Sequence, residues 1–296
     1  MKKKTLLLTG TSGFIGYEFL LFALSNNFSV IDILREKNRK NKKIIKLKNS
    51  YPSKYKNIFF FNNKDLEKKL KGTKADYFIN FATLYSNSHS HSQIGDFIES
   101  NILFPTLIYD IIHNNTKKII NFGSMMQHSR TQKLISNNLY AATKNAFEMI
   151  SNYYSNTNNK TKFYNIKFYE SVGKNDTRKK LIPTLINNYK KNIITKILSK
   201  RLILNVIHTD DIINSIMILL NNNIKSGSYC IKNTNNIKIS NLINKLNKGL
   251  HRKIKVKYGN KSNIPNFNNN LTILPKWKPI KNLENKILKI FKNEIN

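Results

Sequence analysis

A run of apolar residues that breaks into closely spaced glycines restricts this chain more than any other part of it. Leu6-Leu7-Leu8-Thr9 has the continuous apolar character of a strand buried on both faces, and Gly10, Gly13 and Gly16 follow at the turn into a segment of helical period starting at Phe14. A residue without a Cβ permits the tight turn, lets the backbone come close to a diphosphate and seats the helix against the strand. The helix N-terminus adds a preference for negative charge. Gly10-Thr11-Ser12-Gly13-Phe14-Ile15-Gly16 is therefore the expected dinucleotide-binding turn; a plain structural turn is the competing reading.

Downstream, apolar runs of strand length alternate with helical periods. Strands are expected at 5–9, 28–34, 58–61, 77–82, 118–122 and 163–168, and helices at 14–26, 65–70, 94–113 and 140–155. Continuously apolar strands joined by helices predict an α/β fold, a doubly wound parallel sheet covered on both faces. The rhythm changes near Gly173, where a polar segment precedes a helix at 182–191. Strand and helix return at 206–208 and 210–220, then a strand at 228–231, and the tail ends in a Pro- and Asn-rich loop and a helix at 283–292. The pattern predicts a dinucleotide-binding domain at 1–170, rejoined by 205–232, and a small C-terminal substrate lobe from 171–204 and 233–296.

Lys+Arg number 51 against 16 Asp+Glu, a formal net charge of +35. Such a balance ordinarily suggests a nucleic acid partner. Here the lysines are scattered through almost every segment among Asn and Ile, with no basic arm and no basic-aromatic stripe, so no specific nucleic acid is expected and the field serves an anionic substrate. The single cysteine, Cys230, excludes an internal disulfide and reads as a buried strand residue. Lys2-Lys3-Lys4 before Thr5-Leu6-Leu7-Leu8 looks superficially like a secretory signal, but the glycines interrupt it. No apolar stretch is long enough to span a bilayer, and a cytoplasmic location is expected. His89 and His91 lie in a Ser-rich loop without acidic neighbours, so no metal site is expected.

The second strand bears on cofactor choice. An NAD-preferring site places a carboxylate at its tip for the ribose hydroxyls. Asp32 lies short of the tip, which Leu34 and Arg35 hold, with Lys37, Arg39 and Lys40 beyond. A guanidinium at Arg35 can pair with a 2′-phosphate, so NADP(H) is favoured and NAD(H) possible. Solvated loop charges are the alternative.

Three residues are expected to carry a reaction, with a surface Tyr–Lys pair the competing reading of the spacing alone: Ser124 after the strand at 118–122, and Tyr140 and Lys144 in Tyr140-Ala141-Ala142-Thr143-Lys144. Four residues apart on a helix, Tyr140 and Lys144 share a face. The ammonium favours phenolate, so the tyrosine can exchange a proton with a carbonyl or alcohol oxygen that Ser124 also holds.

With these, Asn80-Phe81-Ala82-Thr83, Asn101-Ile102-Leu103-Phe104-Pro105, Asn121-Phe122-Gly123-Ser124 and Ile207-His208-Thr209-Asp210-Asp211 make the chain resemble an extended short-chain dehydrogenase/reductase of the nucleotide-sugar epimerase/dehydratase family. The stretch from Lys167 to Pro183, with Gln127-His128, is similar to the branch that reduces CDP-linked 4-ketosugars. The resemblance implies a Rossmann fold, catalysis by Ser124, Tyr140 and Lys144, and cofactor contacts from the glycine loop, Arg35, Asn62, Ala82, Thr83, Asn101, Tyr140 and Lys144. It also implies substrate contacts from Met125, His128, Glu170 and Arg178, a nucleotide-sugar substrate and a homodimer.

The family's sugar dehydratases carry an Asp-Glu pair where this chain has Met125 and Met126, neither of which can move a proton, so dehydration is not expected. Glu170-Ser171-Val172-Gly173-Lys174 departs from the family's Asn-Val-Tyr-Gly-Pro run. Asp210 and Asp211 read as capping residues of the following helix. The expected activity is NADPH-dependent reduction of a nucleotide-linked 4-keto-6-deoxysugar. The alternatives are an NAD-dependent 4-epimerase and, in another class, a non-catalytic dinucleotide-sensing or nucleic-acid-binding protein.

Overall fold

In the computed structural model the described residues are 3–128, 135–157, 160–260 and 271–295. They fall into two compact units, residues 1–167 with 219–229, and residues 168–218 with 230–296.

The first unit is built on β1 (Lys4–Thr9), β2 (Phe28–Arg35), β3 (Tyr55–Phe60), β4 (Tyr77–Asn80), β5 (Lys118–Phe122) and β6 (Lys162–Lys167). These pair in parallel in the order β6-β5-β4-β1-β2-β3. The helices are α1 (Phe14–Ser25), α2 (Lys42–Ser50), α3 (Asn63–Leu70), α4 (Ile94–Ile98), α5 (Phe104–Ile112) and α6 (Leu139–Thr157). A π-helical turn at Glu99–Leu103 joins α4 to α5. Leu7, Phe78, Ile108, Ile119 and Phe147 belong to one buried cluster between strands and helices, as the apolar runs require.

A row of buried polar side chains crosses this sheet. Thr9, Asn80, Asn121 and Asn165 sit in register on four neighbouring strands. Thr9 donates to Asn80 at 2.6 Å, Asn80 to Asn121 at 3.0 Å, Asn121 to Asn165 at 3.1 Å, and Asn165 to Ser151 on α6 at 3.1 Å. Each amide both donates and accepts, which removes the penalty of burying it and locks the strand ends that lead into the loops.

The second unit contains β7 (Glu170–Val172), β8 (Thr195–Ile197), β9 (Ile203–Leu204), β10 (Val206–His208), β12 (Ile237–Lys238) and β13 (Val256–Tyr258). Its helices are α7 (Leu181–Lys190), α9 (Ile239–Gly249) and α10 (Leu283–Ile295). Its strands form three two-stranded pairs, and Ile182, Leu185, Leu242, Ile287 and Phe291 lie in its core. The boundaries fall across α8 (Thr209–Asn221) and β11 (Gly227–Cys230); β11 completes the seven-stranded sheet beside β6. The segment expected to rejoin the first domain, 205–232, divides in the structure, which groups only 219–229 with it. Residues 206–208 pair instead with 170–172, and Asp211 accepts from the backbone of Ile280 at 2.7 Å.

One helix escaped the sequence pattern. The stretch 42–50, to which the sequence pattern assigned no element, forms α2, where Ile44 and Leu47 are buried and Asn41 caps the first turn by accepting from Lys43 N at 3.0 Å. The Pro- and Asn-rich stretch lies largely at 261–270, outside the described residues.

Candidate active site

The glycine loop is a shape that side chains would fill. Gly10 has φ +69°, and a Cβ on it would lie 2.4 Å from Ala82 N. A Cβ on Gly16 would lie 2.4 Å from the carbonyl oxygen of Gly10. Both positions therefore exclude any larger residue. Gly13 opens α1 without a side-chain cap, and the N-terminal end of a helix favours an anion. Ser12 and Gly13 are exposed, whereas Thr11 turns inward and donates to Asp32 Oδ2 at 2.6 Å.

Asp32 is fully buried and also accepts from the Tyr55 hydroxyl at 2.6 Å. It supports the loop from beneath and does not reach the strand tip. Arg35 ends β2, exposed, and its Nη2 donates to Ser100 at 2.8 Å. Of the basic residues beyond it, Arg39 is paired with Glu36.

Asn62, Ala82, Thr83 and Asn101 were expected at the cofactor. Asn62 follows β3 and caps α3, accepting from Asp65 N at 3.1 Å. Asn101 is buried in the π-helical turn. Its amide joins the loop after β4 to α6, accepting from Thr83 Oγ1 at 3.1 Å and Leu84 N at 2.7 Å and donating to Leu84 O and to Thr143 Oγ1, each at 3.0 Å. Its side chain is engaged by the protein itself. Ala82 and Thr83 lie on the loop that Gly10 closely approaches.

Ser124, Tyr140 and Lys144 are buried in the same unit. Ser124 follows β5 and caps a 3₁₀ turn at Met125–Gln127, its hydroxyl accepting from Met126 N at 3.2 Å. Tyr140 lies in the first turn of α6, where the Tyr85 ring meets it edge-on at 4.9 Å between centroids. Tyr85 had not been singled out by sequence. Burial alone lowers the Lys144 ammonium to about 8, and no carboxylate of the described residues pairs with it. A buried, unneutralised cation one turn from a tyrosine fits the hydroxyls of a ribose and leaves charge to stabilise a phenolate.

The four expected substrate residues divide between the units. Met125 is buried beside Ser124, and His128 is buried with its Nε2 3.1 Å from Lys167 Nζ. Glu170 and Arg178 belong to the second unit. Glu170 pairs with Lys180 at 3.1 Å, and Arg178 holds both carboxylate oxygens of Asp176 and the carbonyl oxygen of Ser171. Asp210 and Asp211 open α8, where Asp211 Oδ2 accepts from His208 N at 2.9 Å. Among the described residues no cluster of metal-ligating side chains occurs, and no helix is long and apolar enough to cross a membrane.

The NAD dependent epimerase/dehydratase family matches residues 6–255. The chain is similar to a CDP-abequose synthase of Yersinia pseudotuberculosis, 27% identical over 171 residues, which span 57% of this chain and 59% of that protein. A CDP-abequose synthase of Salmonella typhimurium is 27% identical over 241 residues, 77% of this chain and 73% of the relative. The fold is similar to that of UDP-glucuronic acid 4-epimerase from Bacillus cereus in complex with UDP-glucuronic acid and NAD, with TM-score 0.79, 17% identity and coverage of 98% and 99% of the two chains. It is also similar to UDP-N-acetylglucosamine 4-epimerase from Methanobrevibacter ruminantium M1 in complex with UDP-N-acetylmuramic acid, with TM-score 0.80, 19% identity and coverage of 99% and 98%.

Proposed function

Because the chain belongs to the NAD dependent epimerase/dehydratase family, an enzyme family of the extended short-chain dehydrogenase/reductase type, we propose that it is an NADPH-dependent reductase of a nucleotide-linked 4-keto-6-deoxysugar. The observation that carries the proposal is the buried set Ser124, Tyr140 and Lys144, with a lysine that no carboxylate of the described residues neutralises.

When bound, the reduced nicotinamide dinucleotide supplies the hydride. The glycine loop and the start of α1 would hold its diphosphate, and Lys144 its ribose. Arg35, exposed at the strand tip and followed by Glu36, whose carboxylate pairs with Arg39, supports a 2′-phosphate and hence NADP(H) over NAD(H). Tyr140 gives its phenolic proton to the ketone oxygen as that oxygen gains charge, and the Ser124 hydroxyl hydrogen-bonds the same atom. Below pH 8 the Lys144 ammonium stays charged and stabilises the phenolate left behind.

The second unit would hold the nucleoside diphosphate, with Glu170 and Arg178 among the substrate contacts that the resemblance implies. The similarity to CDP-abequose synthases supports this substrate class. A second reading, an NAD-dependent 4-epimerase using the same three residues, is favoured by the 4-epimerases among the similar structures. We also propose a cytoplasmic homodimer, paired through helices of the first unit. Ile98 on α4, Leu103 in the π-helical turn, and Met149 and Tyr153 on α6 are large apolar side chains left exposed, which supports such a surface.

Tyr140→Phe removes one oxygen and keeps the ring. Turnover of a nucleotide-linked 4-ketosugar should fall roughly 10²–10⁴-fold, the usual contribution of positioned proton transfer, while NADPH binding followed by fluorescence stays intact. Turnover at the parent rate would remove Tyr140 from the chemistry.

A further inference from the structure

Glu148 lies one helical turn beyond Lys144 and two beyond Tyr140, on the same face of α6. Its carboxylate is buried, pairs through Oε2 with the Lys167 ammonium at 2.8 Å and accepts two hydrogen bonds, from Gln127 Nε2 to Oε2 at 2.7 Å and from the Ser228 hydroxyl to Oε1 at 2.5 Å. Lys167 and Glu148 are 3% and 11% exposed, the most deeply buried ion pair of the described residues. Removing two charges from water costs as much as their attraction returns unless further hydrogen bonds satisfy them, so such a pair is poor value as a source of stability alone. Its surroundings indicate what else it does.

Both partners of the pair grip the segment that carries Ser124. Gln127, held by Glu148 and by Asn145 Oδ1 at 2.7 Å through Nε2, turns its Oε1 to accept from Ser124 N at 2.7 Å. Lys167 lies 3.1 Å from His128 Nε2. Gly123 leaves room for this arrangement: a Cβ there would lie 2.5 Å from Gln127 Oε1 and 3.0 Å from Lys167 Cγ. An ammonium has protons to give and no lone pair to receive one, so His128 Nε2 is the acceptor and the ring proton of the neutral imidazole sits on Nδ1.

We infer that Glu148 and Lys167 are positioning residues. They clamp residues 124–128 to the helix that carries Tyr140, fix Ser124 against the tyrosine, and hold His128 as its Nδ1-protonated tautomer. The inference rests on the reading of Ser124 and Tyr140 as the reacting pair, but the clamp can be observed without any turnover.

Long-range ¹H–¹⁵N spectra of the ¹⁵N-labelled full chain at neutral pH, with His128 assigned from His128→Gln, should show the Nδ1–H tautomer. In Lys167→Met the pattern should change to a mixture or to Nε2–H, and in Lys167→Arg, which still only donates, it should persist. If Lys167→Met does not fold, Lys167→Leu, which likewise cannot donate, gives the same readout. With a ketosugar as substrate, Glu148→Gln and Lys167→Met should lower kcat on the order of a hundredfold, the effect of a small misplacement of reacting groups, with KM for NADPH and sugar near the parent values and kcat largely restored in Lys167→Arg. A tautomer that does not respond to Lys167, or a kcat that does not respond to either residue, overturns the inference. A parent protein that reduces no ketosugar yet shows the tautomer change overturns the proposed function and leaves the clamp standing.

Discussion

Burial pushes the carboxyl of Asp32 up to about 7, because the hydroxyls of Thr11 and Tyr55 that donate to it offset only part of the desolvation. In the unfolded chain the same group titrates near 3.8. Between those values the unfolded state releases the proton and the folded state keeps it. Folding stability should therefore fall as pH rises from about 4 to about 7 and level off above, by a few kcal/mol at about 1.4 kcal/mol per pH unit. Asp32→Asn keeps the shape of the protonated acid and should remove that part of the slope, measured as the difference between parent and variant in urea unfolding at pH 4.5 and 7.5. Parallel curves would show that Asp32 is not buried as an acid. At this scale the candidates Ser124, Tyr140 and Lys144 each have a local sign in the sequence, a strand end or an i, i+4 spacing. Glu148 carried the same spacing one turn on, yet its partner Lys167 is brought to it only by the pairing of β6 beside β5, which no local pattern encodes. The polar segment read for substrate held its own warning, since Asp176 lies two residues before Arg178 and takes its guanidinium.

The turn from β1 into α1 depends on two positions where backbone meets backbone. In Gly16→Ala the new methyl would meet the carbonyl oxygen of Gly10 at 2.4 Å, so either α1 or the loop must move. Overpacking of this kind costs roughly 1–3 kcal/mol. The variant should melt several degrees below the parent and bind NADPH at least tenfold more weakly, as thermal unfolding and a fluorescence titration would report; unchanged values in both would deny the loop its cradle role. The elements themselves were largely legible, because β1, β4 and β5 are continuous apolar runs bounded by turn residues. The helix α2 was not, because only Ile44 and Leu47 of its nine residues are buried and the lysines around them mask the period. The row from Thr9 to Asn165 was missed for a different reason. One threonine or asparagine per strand looks like a strand-end polar residue until parallel registry lines the four up.

Over the whole chain the charge of +35 is spread among segments that also fold the two units, and it favours an anionic substrate without selecting one. The proposed homodimer is tested by Met149→Glu combined with Tyr153→Glu. These two side chains, 63% and 61% exposed, stand one turn apart on α6. Sedimentation should give a dimer for the parent and a monomer for the double variant; a monomeric parent at the same concentration would contradict it. The division at 205–218 was not legible from the rhythm of strands and helices, since the strand at 206–208 looks like one more strand of the large sheet and is drawn instead to 170–172. The central claim, net reduction of a ketosugar, is tested most directly by incubating the protein with NADPH deuterated at the transferable C4 position and a nucleotide-linked 4-keto-6-deoxysugar, and following deuterium by NMR. A reductase consumes one NADPH for each product and leaves one deuteron at C4 of the sugar. Unchanged ketosugar with no NADPH consumed and no deuterium incorporated, from a protein that with NAD interconverts the C4 epimers of a nucleotide-linked 4-hydroxysugar, would contradict the account.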